Sequence, residues 1–181
     1  MFQCINSFSQ IKIKPKSLIV LDIDETILKF PSIRKGWWVE TFSKYYEQEQ
    51  DYEKAEELAL FDWENLVIND KAQLLDSDNF ETFLDDIKVN ECELILLTAR
   101  NDRLKELTKK HLIDCELDIS SHRIYHSRNK GNKLLDLVSN VFTNISQIIL
   151  VDDLESNLLD VQKSFMGTVF DINLYYIEHH H

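Results

Sequence analysis

Glycine and proline are scarce, with 3 and 2 residues in a chain of 181, which leaves little material for long flexible linkers. Cysteine is scarce too. Cys4, Cys92 and Cys115 are odd in number and lack CxxC spacing, which argues against a disulfide framework or zinc site and for reduced thiols in a cytosolic setting. Cys92 and Cys115 adjoin apolar runs and read as small buried hydrophobes. No uninterrupted apolar stretch approaches the ~20 residues that span a bilayer. Residues 1–17 carry Lys12, Lys14 and Lys16 but no hydrophobic run before a cleavage site, unlike a signal peptide. Basic residues are outnumbered: 20 Lys and Arg stand against 32 Asp and Glu, a formal net charge of -12. That balance argues against a primary nucleic-acid role, which needs clustered Lys and Arg on phosphates, and against adsorption to anionic membranes. A phosphorylated ligand stays compatible if a metal ion supplies local positive charge. The expectation is a cytoplasmic protein with no membrane span and no nucleic-acid partner.

What is present belongs to a soluble globular chain: 44% apolar and 29% charged residues. The length suits one α/β domain with a modest insertion. Apolar runs at 17–23, 93–97, 147–151 and 167–172 read as parallel strands, because near-continuous Ile, Leu and Val suit strands covered on both faces. A fifth run, 122–125, is shorter. Helical patterns cover 78–89, 102–112, 130–142 and 154–164. This alternation predicts an α/β fold, a Rossmann-like three-layer αβα domain around a parallel sheet of about five strands. Residues 30–77 break the alternation with two helical patterns, 36–49 and 52–67. Trp38, Phe42, Tyr45 and Tyr46 fall on one face of the first, and Leu58, Phe61 and Leu66 on one face of the second. The expected division is a core of 1–29 and 78–178, a small helical insertion of 30–77, and an expression-tag remnant at 179–181.

Ligands in doubly wound sheets bind at the carboxyl ends of the strands, so the residues after each apolar run matter most. The first run ends Asp22-Ile23-Asp24-Glu25-Thr26. Carboxylates there are costly unless paired or metal-bound, and alternate residues of an extended chain point the same way. One carboxylate can bind metal and attack phosphorus while the other handles protons; the bland alternative is capping of backbone amides. The second run ends Thr98-Ala99-Arg100, where a hydroxyl and helix-start amides can meet a phosphoryl group or Thr98 can simply cap. Lys130, beside Gly131 at a helix start, opposes the macrodipole and makes sense facing a phosphate or an aspartate. Lys133 competes for that role, and a plain surface lysine is the bland reading of either. The fourth group is Asp152-Asp153, hard oxygen donors suited to magnesium, with helix capping again the alternative and Asn157 one candidate to hydrogen-bond back.

Together and in this order, Asp22-x-Asp24-x-Thr26, Thr98, Lys130-Gly131 and Asp152-Asp153 resemble the four motifs of the haloacid dehalogenase (HAD) superfamily of phosphohydrolases. The likeness runs from Leu18 to about Asn157. It is nearest to uncharacterised bacterial members with a similar D-x-D-x-T, a Trp-rich insertion and L-T-A-R. The resemblance implies a Mg2+-dependent phosphatase with Asp22 as nucleophile and Asp24 as general acid/base. Thr98 would hold the phosphoryl group and Lys130 would steady its charge. Asp22, Asp152 and the Asp24 backbone carbonyl would bind the metal, with Asp153 a direct or water-mediated partner. Residues 30–77 would be a cap that shapes specificity, in which Trp38 stacks on substrate or merely anchors helices; Ala99 and Arg100 are further substrate-binding candidates. The substrate implied is a small phosphorylated metabolite or a phosphoprotein, phosphotyrosine included. Two other classes compete. A non-catalytic scaffold on the same fold has no positive support, and a two-component receiver fails because Thr98 and Lys130 precede the second acidic pair. His122 and His126 read as structural histidines.

Overall fold

The computed structural model describes residues 1–34, 36–117, 119, 123–145 and 147–178. Among the described residues, eight strands and six α-helices follow in order: β1 (Gln3–Ile5), β2 (Ser17–Leu21), β3 (Leu28–Lys29), α1 (Trp37–Glu49), α2 (Tyr52–Val67), β4 (Gln73–Leu74), α3 (Ser77–Val89), β5 (Glu93–Thr98), α4 (Lys105–Asp114), β6 (Ile124–His126), α5 (Lys130–Asn140), β7 (Gln147–Asp152), α6 (Glu155–Ser164) and β8 (Ile172–Ile177). Six strands form one sheet in the order β1-β8-β7-β2-β5-β6, and every pair in it is parallel. This is a Rossmann-like α/β fold.

The hydrophobic pattern explains the layers. Every residue of β2 and of β7 is buried, as expected of central parallel strands. Alternate residues feed opposite faces. Ile19, Leu21, Leu96, Ile149 and Val151 join Phe80, Phe83 and Ile87 of α3 and Leu112 of α4 in one core. Leu18, Val20, Ile95, Leu97, Ile148 and Leu150 join Leu134, Leu137 and Val138 of α5 and Leu158 and Val161 of α6 in the other. Cys92 and Cys115 pack half-buried at the margin of the first core.

Between β2 and α3, α1 and α2 form a helical hairpin whose base is closed by the antiparallel pair β3–β4. Asp51 caps α2, accepting from the Lys54 amide. The buried stripe of α2 is Ala55, Ala59, Trp63 and Val67, a strict four-residue spacing that faces inward. Tyr45 donates to Asp62 at 2.6 Å, and Phe42 lies 5.0 Å from Tyr52 between ring centroids; both tie α1 to α2.

The buried face of α2 is not the expected Leu58, Phe61 and Leu66, of which Phe61 is exposed, and three further expectations shift. The sheet has six strands where about five were expected, because β1 is only three residues long and too short to give a periodic signal. The last strand is Ile172–Ile177, not 167–172. Gly167 adopts φ 78 in a turn and Val169 is exposed, whereas Leu174, Tyr175 and Ile177 are buried and Ile172 pairs with Ile148. The helix expected from residue 102 opens as a 3-10 turn, Asp102–Leu104, before α4. His122, which began the expected fifth strand, and the expected tag residues His179–His181 lie outside the described residues; the strand nearby is β6.

Candidate active site

The carboxyl ends of β2, β5 and β7 lie side by side, since β2 pairs with both of the others. Asp22 follows β2 and is held in the sheet by its amide, which donates to the Val151 carbonyl at 3.0 Å. Asp152 ends β7. Lys130 is the first residue of α5 and is fully buried. Its Nζ donates to Asp22 Oδ1 at 2.5 Å and to Asp152 Oδ2 at 2.7 Å. Lys133 instead lies over the Tyr125 ring, 5.5 Å from its centroid, so of the two competing lysines Lys130 is the one that meets the carboxylates. Asp152 also accepts from the Leu154 amide and from Asn157 Nδ2, at 2.9 and 3.0 Å. The backbone contact that lets Lys130 enter is unusual: the Gly131 amide donates to Asp160 Oδ2 at 2.7 Å, drawing α5 against α6.

Asp22, Asp152 and Asp153 each offer an oxygen within 4.8 Å of the others. Three carboxylates face one ammonium, an excess of two negative charges when all are ionised. Burial pushes the Asp22 carboxyl up to about 7; Lys130 opposes the rise, and Asp152 and Asp24 add to it. Burial and then the charges of Asp152 and Asp22 hold Asp153 well above the usual carboxylate range. Burial acts to lower Lys130, yet Asp152 and Asp22 outweigh it and keep the ammonium charged. Hard oxygen donors with an excess of negative charge when ionised fit a divalent cation.

Asp24 follows in a tight turn, in which the Ile27 and Leu28 amides donate to the Ile23 carbonyl and Glu25 takes φ 57. Its carboxylate meets Arg100: Nε donates to Oδ2 at 2.9 Å and Nη2 to Oδ1 at 2.7 Å. Thr98 ends β5 and is buried; its Oγ1 accepts from the Arg100 amide at 3.1 Å. Thr26 Oγ1 reaches Asp22 Oδ2 only at 3.4 Å. A cleft of about 640 Å³ opens between the α1–α2 hairpin and these strand ends, bordered by Asp22, Asp24, Asp153, Ala99, Arg100, Trp37, Trp38 and Trp63. Trp37 packs partly on the first core, and Trp38 is half-buried at the cleft.

Sequence reasoning did not foresee the surroundings of Arg100. Although Arg100 borders the cleft, its guanidinium is turned to Asp24, to Thr108 Oγ1 at 3.1 Å and to His111 Nδ1 at 3.3 Å. Because arginine only donates, His111 Nδ1 accepts, and the imidazole is neutral. Burial and the Arg100 charge push His111 down to about 4. His126 contacts the Arg100 carbonyl at 3.1 Å through Nδ1, a structural role. Nothing local to Thr108 or His111 marks them in sequence.

Residues 3–127 and 124–181 match the profile of a family described as protein of unknown function, DUF2608. The chain belongs to that family. No curated protein matches it. Among solved structures, this DUF2608 chain is similar to the HAD domain of the effector protein Lem4 from Legionella pneumophila, at 11% identity, covering 91% of this chain and 88% of that one with a TM-score of 0.53. It is also similar to the class C acid phosphatase from Bacillus anthracis, at 17% identity over 91% of this chain and 67% of that one, TM-score 0.47. A HAD-superfamily hydrolase from Ehrlichia chaffeensis matches at 16% identity over 90% and 88%, TM-score 0.47. At 11% identity the likeness to the Lem4 domain speaks for the fold alone: this DUF2608 chain shares the overall fold of that HAD domain.

Proposed function

We propose that the chain is a Mg2+-dependent phosphatase that hydrolyses a phosphate monoester through a phospho-aspartate on Asp22. The observation that carries the reading is Lys130, buried and bonded to both Asp22 and Asp152 where three strand ends meet. Lys130 holds one oxygen of Asp22, which orients the other toward phosphorus. That oxygen bonds to phosphorus as the ester P–O bond breaks. The electron pair leaves on the ester oxygen, which takes a proton from Asp24. Water then gives a proton to Asp24 and attacks phosphorus. The bond to Asp22 breaks, releasing inorganic phosphate. The Thr98 oxygen already accepts from the Arg100 amide, so its O–H donates to the phosphoryl group, helped by the Ala99 backbone.

Asp22, Asp152 and Asp153, with the Asp24 carbonyl, would hold Mg2+, which would supply charge neutralisation as phosphate and carboxylate approach. The hard-oxygen donor set and its excess of negative charge when ionised support that choice. Residues 30–77 act as a small helical cap over the core of 1–29 and 78–178, with Trp38 at the cleft as a stacking surface for substrate. The substrate is a small phosphorylated metabolite or a phosphoprotein, phosphotyrosine being the aromatic variant that tryptophan-lined walls favour.

The test is hydrolysis of p-nitrophenyl phosphate by wild type with Mg2+, by wild type with EDTA, and by Asp22→Asn with Mg2+. Turnover in the first alone is the expected result. A folded protein that binds Mg2+ yet is inactive on a broad panel of phosphate monoesters would favour a scaffold instead.

A further inference from the structure

We infer that Arg100 is the positioning residue for Asp24, fixing the carboxylate that moves the proton, and that α2 helps to hold it. The inference rests on the phosphatase reading above. Arg100 and Asp24 are 76 residues apart yet form a two-point fork, Nε to Oδ2 and Nη2 to Oδ1, at 2.9 and 2.7 Å. A single-point contact leaves a carboxylate free to rotate about χ2; a fork fixes its plane.

Exposure gives the pair a direction. The Arg100 side chain is 2% exposed and that of Asp24 is 25% exposed. The guanidinium therefore grips the carboxylate from the protein side, and Asp24 keeps a face toward the cleft. Of the five guanidinium N–H groups, four are directed at Asp24, Thr108 and His111. Such an arginine is spoken for; its donors serve the protein rather than an incoming phosphate.

The guanidinium is itself clamped. Its carbon lies 5.2 Å from the centroid of Trp63 and 5.7 Å from that of Phe30, within the range of cation–π attraction. Trp63 belongs to α2, and Phe30 stands 6.2 Å from it edge to face. Thr108 and His111 come from α4. The position of Asp24 is thus set jointly by the loop after β5, by α4 and by the helical insertion. Lysine at this position would bring charge without the fork or the stacking plane.

Proton donation matters most when the leaving group is poor, which gives a readout that general damage to the fold does not mimic. An alkyl phosphate needs its oxygen protonated as it departs, whereas p-nitrophenolate leaves unaided. The experiment compares kcat/KM with Mg2+ for both esters in wild type, Arg100→Met, Arg100→Lys, Asp24→Asn and Asp24→Asn/Arg100→Met, with circular dichroism and melting curves to establish folding. Arg100→Met is expected to lose about 100-fold on the alkyl ester, the scale of general acid–base catalysis, and only a few-fold on p-nitrophenyl phosphate. Arg100→Lys is expected to recover little of the loss. In the Asp24→Asn background, Arg100→Met should cost almost nothing more, because residues that act as a unit are non-additive. Trp63→Phe, a milder change that keeps an aromatic surface, should shift the two esters apart in the same sense by a smaller factor.

Equal losses on both esters, or losses that multiply with Asp24→Asn, would overturn the positioning role while leaving the phosphatase reading intact. Turnover that survives Asp22→Asn would overturn both.

Discussion

Arg100 and His111 carry opposite lessons at the scale of single residues. Arg100 was visible in the sequence as a neighbour of Thr98, but its partner is not, because 76 residues separate it from Asp24 and no periodicity links a strand-end turn to a later loop. Asp22, Asp24, Asp152 and Asp153 were legible for a physical reason: acids directly after buried apolar runs are out of place unless something compensates them. Lys130 and Lys133 were not separable from sequence, since both lie within one turn of a helix start, and only the approach of α5 to β7 decides between them. His111 gave no signal at all, yet it is buried with Nε2 unpaired among the described residues. Its pH behaviour follows from its lowered pKa, from 6.5 to about 4. Between these values the unfolded chain binds a proton that the folded one does not, so the contribution is intact above pH 6.5 and is lost as pH falls toward 4. The span corresponds to roughly 3 kcal/mol at most. Melting curves of wild type and His111→Gln from pH 7 to 4.5 should therefore converge, wild type losing more on acidification. Parallel curves would refute a neutral, buried His111.

At the scale of elements, helix α5 delivers Lys130 only because α6 lies unusually close. A Cβ built on Gly131 would come within 2.6 Å of the Asp160 carbonyl oxygen, so any larger residue must push α5 away from α6. The glycine is needed for space, and the Asp160 carboxylate fastens the same point by accepting the Gly131 amide. Gly131→Ala is expected to cost about 1–3 kcal/mol by overpacking. At roughly 2–4 °C per kcal/mol for a chain of this size, a lowered melting temperature is the first readout. Because the displaced segment begins with Lys130, turnover should fall by more than the fraction unfolded at the assay temperature. Full activity in the folded remainder would show that α5 can yield without moving the lysine. The last strand illustrates the limits of pattern reading at this scale. Residues 167–172 look like a buried run, but Ile172–Ile177 wins because its register sets buried Leu174 and Tyr175 beside Leu150 and Val151 of β7, and buried Ile177 beside Ile5 of β1. Pairing with a strand some 25 residues earlier is a tertiary choice that a local window does not contain.

For the whole molecule, a formal charge of -12 frames what the acidic cluster does. Asp153 is raised well above its usual range by burial and by the neighbouring Asp152 and Asp22, so its ionised form opposes folding at neutral pH. A divalent cation held by Asp22, Asp152 and Asp153, as proposed, would remove that opposition and would bind the folded state far better than the unfolded one. By mass action the gain is about 2.7 kcal/mol when Mg2+ stands at 100 times its dissociation constant, or roughly 5–10 °C in melting temperature. EDTA should return the protein to its metal-free value, and matched ionic strength with NaCl should not reproduce the gain. Asp153→Asn separates this account from generic screening, because it predicts two changes of opposite sign. Without metal the variant should melt higher than wild type, since the carboxyl whose ionisation opposes folding is gone. With Mg2+ it should gain less than wild type, since one oxygen donor of the trio has lost its charge. A variant that melts lower without metal would mean that Asp153 supports the fold through contacts of its own, and a full Mg2+ response in it would place the cation elsewhere.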